Sequence, residues 1–281
     1  MDARERWAKV LSDLEAADRA LMVALDARAK AVVAAAELRR TEPESYFQLP
    51  AKEAVIARAH EHRGAFPERS IAPVMREVMS ACTALVSATQ VAVVASDGEL
   101  AAHAAQEIFG HAITTHAVAN VEAALLAVER NEVTYAMVAL ETSTEGATSA
   151  TLFALANGTG KIVREKTLRT DADSNARAQT RFLVVGRESS RRTGLDRTFV
   201  ALSLSEDPGS LYAALQPFAE RGINLTRLES RQAPGSQFDR LFFVELDGHT
   251  SDRAVLTAID EVRAKSRHLR VIGSYPRPSN D

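Results

Sequence analysis

The stretch TFVALSLSEDPGSLYAALQPFAERGINLTRLESRQ, residues 198–232, decides the fold of the C-terminal third of the chain. TFVALSL predicts a strand, Gly209 to Arg221 has the composition of a helix, and INLTRLESRQ predicts a second strand. The segments that follow predict a strand, a helix and a closing strand at 239–248, 251–266 and 269–276. Because the order βαββαβ is that of the ferredoxin-like fold, we predict such a domain here.

The middle of the chain alternates short apolar runs with helical stretches, which is an α/β pattern. In chain order these are VAVVAS (91–96), a helix at about 99–109, a helix at about 120–130, YAMVAL (135–140) and QTRFLVVG (179–186). The polar stretch 186–197 follows without an apolar period, so it predicts a connector between two domains.

Residues 1 to about 88 are rich in Ala, Leu, Arg and Glu and contain a single Gly, which is a helical composition. Apolar side chains recur in steps of three and four residues, which predicts one helix over about 3–40. Shorter helices fit 51–62 and 70–87. A helix of about 57 Å cannot bury its apolar stripe against two shorter ones, so we expect this block to dimerise.

Length and charge limit the class of protein. The 281 residues have room for two or three domains of about 100–150 residues, and we assign three, at 1–88, 89–187 and 188–281. With 34 Lys and Arg against 37 Asp and Glu, a basic nucleic-acid-binding surface is not expected. Cys82 is the only cysteine, and the sequence has neither a long apolar run nor an apolar leader. We therefore expect a cytoplasmic protein that does not insert into a membrane.

Six strings, in this order, resemble the bifunctional chorismate mutase/prephenate dehydratase family, which carries a C-terminal ACT regulatory domain. They are VMREVMSACTAL (74–85), LETSTEG (140–146), QTRFLVVG (179–186), DPGSLYAAL (207–215), GINLTRLESR (222–231) and VIGSYP (271–276). The resemblance implies a multidomain α and α+β protein. Its parts would be an all-helical chorismate mutase-like dimer domain, a single α/β lobe of the prephenate dehydratase type and a ferredoxin-like ACT domain.

Chorismate rearrangement needs cations that hold a dianion in a compact conformer, and arginines on a helix can supply them. Arg28 is in phase with the apolar stripe of the first helix, and Arg39 lies eleven residues later on the same face. Taken alone, Arg28 is better explained by a snorkelling side chain or by a pair with an acid in a helical bundle. By resemblance, Arg28 and Arg39 stand at substrate-binding positions, and Lys52 with Glu53 match the basic-acidic pair that opens the second helix.

Three positions depart from the mutase pattern. Leu11 stands where the family has an arginine contributed across the dimer, and Leu49 stands where a polar residue is expected. Val86 replaces a Glu or Gln that contacts the ether oxygen. The loss of an arginine clamp or of a transition-state hydrogen bond costs about 2–4 kcal/mol each, so we expect weak or absent mutase activity.

The family's dehydratase has two lobes with the substrate between them. Here GKIVREKTLR (160–169) leads to the return strand QTRF in fewer than a dozen residues, so the second lobe is missing. Thr180 matches the reactive threonine of the family's Thr-Arg-Phe motif, but Glu99, Leu100 and Thr142 depart from the surrounding pattern. We expect no dehydratase activity and interpret Thr180 as a strand-end residue kept for packing.

The ACT block matches the family pattern most completely. By resemblance, an aromatic amino acid, phenylalanine in the family, binds between paired ACT domains, and Glu229 and Ser230 belong to the Glu-Ser-Arg signature that couples this site to the dimer. The other implied ligand-binding residues are Asp207, Pro208, Gly209, Ser210, Leu211, Gly222, Asn224, Leu225 and Thr226. The residues alone also fit a dimerisation module that binds nothing, because Pro-Gly and Gly222 suit the turns.

Three functions remain open at this point. The chain could be a working enzyme of phenylalanine biosynthesis, or a repurposed enzyme acting on a chorismate-like or prephenate-like acid. The function we favour is a dimeric, weakly catalytic or non-catalytic regulator that binds an aromatic amino acid and acts through a partner enzyme of the shikimate or aromatic pathway. The histidines show no paired ligand geometry, so we predict neither a metal site nor a cofactor.

Overall fold

A computed structural model describes residues 2–41, 52–143, 146–170, 178–232 and 240–277. The side chains at positions 52, 53, 170 and 178 are outside this description. By its contacts the chain divides into two compact units. The first comprises Met1–Thr89 and Gln106–Thr114, and the second comprises Gln90–Ala105 and Thr115–Asp281.

The first unit contains helices at the three places that the sequence predicts. They are α1 (Ala3–Thr41), α2 (Lys52–Glu61) and α3 (Glu68–Ala84). The start of α1 is capped reciprocally, since the backbone N–H of Glu5 donates to Asp2 Oδ1 (2.8 Å) and that of Asp2 donates to Glu5 Oε2 (2.9 Å). None of the 39 residues of α1 is buried within the single chain. That these helices form a chorismate mutase-like domain stays a prediction.

A six-stranded sheet follows along the chain, in the order β2-β1-β3-β6-β5, with β4 paired to β3. Its elements are β1 (Thr89–Val94), α4 (Gly98–Phe109), β2 (Ile113–Val118), α5 (Val121–Glu129), β3 (Tyr135–Thr142), β4 (Gly146–Ala147), α6 (Ser149–Asn157), β5 (Lys161–Thr170) and β6 (Ala178–Gly186). The sequence predicted two helices in succession between β1 and β3, which was wrong, because β2 lies between them. As an edge strand, β2 exposes its four central residues, so it lacks the apolar run that marks β1 and β3.

Strands β5 and β6 are direct neighbours. They pair antiparallel from Lys161 opposite Gly186 to Thr170 opposite Ala178, and only residues 171–177 separate them along the chain. The chain therefore returns to the first sheet without room for another domain between these strands.

The C-terminal part forms the four-stranded antiparallel sheet β10-β7-β9-β8. Its elements are β7 (Asp196–Ser203), α7 (Ser210–Glu220), β8 (Leu225–Gln232), β9 (Arg240–Asp247), α8 (Arg253–Lys265) and β10 (His268–Pro276). The predicted βαββαβ order is confirmed, because apolar periods mark every one of these elements. The two helices cover one face, where Phe218 and Ile259 are buried among Val200, Leu202 and Val244.

The other face of this sheet shares a core with the first sheet. Leu183 of β6 belongs to the same buried cluster as Phe199, Phe243 and Tyr275. The backbones also approach closely, since a Cβ on Gly273 would lie 2.7 Å from the backbone N of Ile162. Only glycine permits this contact. In the part of the chain that the structure describes, no helix has the length and apolar character needed to cross a membrane.

Candidate functional site

A cluster of charged side chains lies where the two sheets of the second unit meet, and we call it the seam cluster. The first sheet contributes Glu141, Glu165 and Arg181, and the C-terminal sheet contributes Arg197, Arg227, Glu229, Arg231, Glu245 and Tyr275. Many of these groups border a cavity of about 460 Å³, which is lined by Glu141, Arg181, Arg197, Thr226, Arg227, Leu228, Glu229 and Glu245.

Arg181 is the centre of the seam cluster. It alternates along β6 with Thr180 and Phe182, so its side chain leaves the sheet on the opposite face from theirs. Its Nε donates to Glu165 Oε2 at 2.6 Å and its Nη1 donates to Glu245 Oε2 at 3.1 Å. Glu141 is a third carboxylate within ion-pair range, at 3.5 Å. With these partners, the donors of Arg181 are already occupied by the protein itself.

Two of the three carboxylates around Arg181 are almost completely removed from water. The side chain of Glu165 is 0% exposed and that of Glu245 is 3% exposed. Each has a second partner, because Arg197 Nη1 donates to Glu165 Oε1 at 2.8 Å and the hydroxyl of Tyr275 donates to Glu245. Such groups are stable in a protein interior only as a complete set.

Burial and partners shift the ionisation of these groups in different directions. Burial lowers the pKa of Arg181, but the surrounding carboxylates outweigh it and raise the pKa above the ordinary value. Burial raises the pKa of Glu245, but hydrogen bonds from Arg181 and Tyr275 outweigh it, so the pKa is lowered. For Glu165, burial together with the nearby Glu245 keeps the pKa raised despite its two arginines. Arg181 and Glu245 therefore form the permanently charged centre.

Thr180, the predicted dehydratase-type residue, is buried on the opposite face of β6 from the seam cluster. Its backbone lies opposite Thr142 of β3 and Leu168 of β5. The carboxyl end of β1 meets the same edge of the sheet, where burial raises the pKa of the Asp97 carboxyl and Glu99 is exposed. Hydroxyl groups lie at this end of the strands, but two carboxyl groups lie there as well, Asp97 in the loop after β1 and Glu99 in the first turn of α4.

The predicted amino-acid-binding residues fall into two groups in the C-terminal sheet. Asp207, Pro208 and Gly209 are exposed before α7, and Gly209 takes the left-handed conformation at the helix start, with φ 84°. Ser210 and Leu211, the first residues of α7, are half-buried. A backbone turn of this kind at a helix N-terminus suits a carboxylate.

The second group surrounds the start of β8. Gly222 has φ 65°, the amide of Asn224 donates to Asp247 Oδ2 at 3.1 Å, and Thr226 Oγ1 donates to the Glu245 carbonyl at 3.3 Å. Leu225 packs against the core under the two helices. Along the same strand, Glu229 faces Arg227 and Arg231, and Ser230 Oγ accepts from Arg240 Nη1 at 3.1 Å.

The two groups do not meet within one chain. Both β7 and β8 run antiparallel to β9, so they are parallel to each other, and α7 connects the end of one to the start of the other. The loops before and after α7 are thus separated by its 11 residues, or about 16 Å. A ligand that touches both groups needs a second copy of this sheet.

The predicted mutase residues lie on α1 and α2. Arg28 is half-buried, and its Nη1 is shielded from solvent with no partner among the described residues. Arg39 is exposed. Lys52 begins α2, but the side chains of Lys52 and Glu53 lie outside the described residues, as does Leu49.

The sequence analysis missed most of the seam cluster, including Glu165, Arg197, Arg227, Glu245 and Tyr275. Two signals could have revealed it. Arg227, Glu229 and Arg231 alternate with period two along a strand, and Glu245 interrupts the apolar run LFFVEL (241–246). Both patterns place charged residues on a face of the sheet whose other residues are apolar and buried. Among the described residues, no group of three or more His, Cys, Asp or Glu side chains is arranged to hold a metal ion.

Comparison with known proteins agrees with this architecture. A family model described as prephenate dehydratase matches residues 91–173, and one described as ACT domain matches residues 198–264. The solved structure of a prephenate dehydratase from Arthrobacter aurescens in complex with L-Phe is 25% identical. It covers 69% of this chain and 92% of that one with a TM-score of 0.60.

Two curated relatives are bifunctional chorismate mutase/prephenate dehydratases. The protein of Aquifex aeolicus is 42% identical over 98 residues, which span 35% of this chain and 27% of that protein. The protein of Neisseria gonorrhoeae is 25% identical over 345 residues, covering 94% of this chain and 95% of that protein. The alignment spans 345 positions, whereas this chain has 281 residues. At least 64 aligned positions (345 − 281) of the Neisseria protein therefore have no counterpart in this chain.

Removing Arg181, the central cation of the seam cluster, should strongly lower the free energy of unfolding. Arg181→Met would leave two buried carboxylates without their shared partner, so we expect a loss of about 3–5 kcal/mol in the free energy of unfolding. Arg263→Met is the matched control, because Arg263 pairs with Asp260 at the surface, where such pairs contribute at most about 1 kcal/mol. Urea unfolding measures both variants. Equal, small losses would show that the cluster does not hold the two sheets together.

Proposed function

We propose that this chain, a relative of the bifunctional chorismate mutase/prephenate dehydratases with a prephenate dehydratase segment and an ACT domain, is a dimeric regulator that binds an aromatic amino acid. Phenylalanine is the expected ligand, since a similar structure was solved in complex with L-Phe. In this proposal the chain has lost dehydratase activity and has weak or no mutase activity. It acts on a partner enzyme of aromatic metabolism.

The observation that carries the proposal is the direct pairing of β5 with β6. A dehydratase cleft between two lobes excludes water from the reacting groups. Here β5 pairs directly with β6, so Thr180 lies in a single lobe with no second lobe to exclude water. The Neisseria relative has at least 64 aligned positions without a counterpart in this chain, which leaves room for a lobe that this chain lacks.

The charges on the remaining lobe also disfavour binding of a dianionic substrate. The donors of Arg181 are taken by Glu165 and Glu245, so this arginine of the Thr-Arg-Phe motif cannot bind a substrate carboxylate without breaking buried ion pairs. Exposed Glu99 adds a negative charge in the first turn of α4, which follows β1.

For the mutase step, the substitutions on α1 and α3 support weak activity. Leu11 is exposed on α1 where the family pattern calls for an arginine that acts across a dimer, and exposed Val86 follows α3 in place of a polar side chain. Neither residue can donate to a carboxylate or to an ether oxygen, so transition-state stabilisation would be lost at two places.

Ligand binding by the ACT domain is supported by the turn at Gly209 and by the residues at the start of β8. Each group offers polar backbone or side-chain atoms at an exposed position, and the space beside Gly209 and Gly222 is open. Because they lie at opposite ends of α7, we infer that two paired domains complete the site. Glu229 and Ser230 would then take part through β8.

Dimerisation is supported independently by the exposed apolar stripe of α1. Trp7, Leu14 and Leu21 are each more than half exposed in the single chain. They lie within about 40° of one another around a helix of 100° per residue, so they form one stripe. A second copy of α1 would bury this stripe, since the same pattern is present on both partners.

One observation favours a second function. Arg28 Nη1 is shielded from solvent yet without a partner among the described residues, and a buried guanidinium of this kind suits a carboxylate. A repurposed enzyme acting on a chorismate-like or prephenate-like acid at this helical site is therefore the alternative. Stabilisation of the fold by such acids, but not by amino acids, would favour it.

We expect saturable binding of L-Phe by isothermal titration, with D-Phe and L-Ala as negative controls. Gly209→Val should raise the Kd about tenfold or more, because a β-branched residue does not adopt the left-handed turn that aligns the backbone donors. Gly194→Val is the matched control, since Gly194 also has positive φ and open space beside it but lies in the connector. Absence of heat with L-Phe, L-Tyr and L-Trp would contradict ligand binding.

We expect prephenate to form phenylpyruvate only at its uncatalysed rate in the presence of this protein. Chorismate turnover should be orders of magnitude below that of the Neisseria relative assayed in parallel. If phenylpyruvate does form, Thr180→Val tells whether the remaining threonine is responsible. Ordinary enzymatic rates on either substrate would refute the proposed loss of activity.

We expect a dimer in sedimentation velocity experiments. Leu14→Glu should weaken it strongly, because a charge in the stripe of α1 would have to be buried. Val23→Glu is the control, since Val23 is 70% exposed and lies on the opposite side of α1. Unchanged dimerisation of the Leu14 variant, or equal effects of both substitutions, would place the interface elsewhere.

A further inference from the structure

Two cations lie together where β5 of the first sheet meets β10 of the C-terminal sheet. Lys161 is the first residue of β5, and Arg270 is the third residue of β10. Lys161 Nζ donates to the carbonyl of Val271 at 2.9 Å, and Arg270 Nη2 donates to the carbonyl of Gly160 at 3.2 Å. Each cation therefore binds the backbone of a residue next to the other cation. We call Lys161 and Arg270 the edge cation pair.

The edge cation pair lacks the carboxylates that accompany the arginines of the seam cluster. Among the described residues, neither Lys161 nor Arg270 forms an ion pair, and both donate only to backbone carbonyls. In the seam cluster, by contrast, Arg181 contacts the carboxylates of Glu165 and Glu245. Glu165 lies four residues beyond Lys161 on β5, or about 13 Å along the strand, so the two clusters are separate.

Glu129, the last residue of α5, is the carboxylate whose charge acts on Arg270. Its Oε1 accepts a hydrogen bond from the backbone N–H of Thr159, and it makes no ion pair with either cation in the described part of the chain. One negative charge beyond ion-pair distance does not balance two positive charges. The edge cation pair is therefore left with an excess of positive charge.

Both cations have donors that the protein does not use. The Nε of Arg270 is shielded from solvent and has no partner among the described residues. A donor that is removed from water without an acceptor is unfavourable. The ammonium of Lys161 has three N–H groups, of which the Val271 carbonyl takes one. An acceptor placed between the two side chains would complete their hydrogen bonding.

The two charges also disfavour each other. Burial, and then the charge of Arg270, lower the pKa of Lys161. Burial lowers the pKa of Arg270 as well, and the charge of Glu129 offsets only part of this effect. An anion beside both groups would act in the opposite direction, because it favours their charged forms.

The position and chemistry of the edge cation pair suit a small phosphate ligand. β5 and β10 are each the outermost strand of their sheet, and both side chains are only half-buried. A phosphate group carries up to two negative charges, which match the two cations, whereas a carboxylate carries one. Its oxygens can accept from a guanidinium and from an ammonium at the same time.

We propose that the edge cation pair binds a phosphate group, supplied by inorganic phosphate or by a small phosphate ester, whose oxygens accept from Lys161 Nζ and from Arg270. Because one cation belongs to each sheet, the bound phosphate holds β5 against β10 and stabilises the second unit. The site is separate from the proposed amino-acid-binding residues, and it stands whether or not those residues bind a ligand.

Thermal unfolding of the full-length protein, with inorganic phosphate replacing chloride at constant ionic strength, tests the site. Phosphate should raise the Tm of the wild type saturably, since it binds the folded state. Lys161→Met and Arg270→Met should each raise the Kd for phosphate about tenfold or more, because each removes a charge-assisted hydrogen bond. Lys161→Arg keeps the charge and should retain binding. Lys30→Met and Arg263→Met are the matched controls, since both residues pair with acids at the surface.

Competitive acetylation of the wild type with acetic anhydride gives a second measurement that needs no variant. Phosphate at ten times its Kd should slow the acetylation of Lys161 about tenfold, while exposed Lys30 should react at an unchanged rate. Glycerol 2-phosphate in the same assay distinguishes the two sources. Protection by both compounds supports a site for phosphate esters, and protection by inorganic phosphate alone supports a site for the free anion.

Three results would each overturn the proposal. They are stabilisation that does not saturate, a Kd for phosphate that is unchanged in Lys161→Met and Arg270→Met, and acetylation of Lys161 that phosphate does not slow. Sodium acetate at the same ionic strength tests the choice of anion. Protection of Lys161 by acetate equal to that by phosphate would show a general anion effect and would overturn the phosphate assignment.

Discussion

The guanidinium group of Arg181 lies between two β-sheets and contacts carboxylates from both of them. Glu165 belongs to the first sheet and Glu245 to the second, and both are almost completely removed from water. Two such carboxylates would repel each other and lose their hydration without a shared cation. The polar end of the sheet contact therefore depends on one side chain, while its apolar end depends on Leu183, Phe199 and Phe243.

The same arrangement determines what the Thr-Arg-Phe strand can do. Neighbouring residues of a strand face opposite sides, so Thr180 lies on one face of the sheet while Arg181 is directed to the seam on the other. The arginine acts structurally, and the threonine is left at an edge where β5 and β6 pair without an intervening lobe. A sequence motif can thus be complete while its side chains take part in different interactions.

Apolar periodicity predicted most of the fold, because a core imposes it on the sequence. The three N-terminal helices and all six elements of the C-terminal sheet are at the expected places. β2 could not be found this way, since its central residues are exposed. The seam cluster was missed for a related reason, because charged residues such as Glu165 are ordinarily assigned to the surface. Some of these charged residues pair with distant strands, as with Arg181 and Glu245, which are 64 residues apart, and a single sequence does not show such pairs.

Because α7 separates the loop before it from the loop after it, the proposed ligand binding depends on association of two copies. The turn at Gly209 and the start of β8 belong to the same domain but lie at opposite ends of α7, so a ligand held by both would have to contact two copies of the domain. Such a ligand binds the dimer and not the monomer, and it therefore stabilises the dimer by mass action. Association and ligand binding would then be two expressions of one equilibrium, as the proposed regulatory role requires.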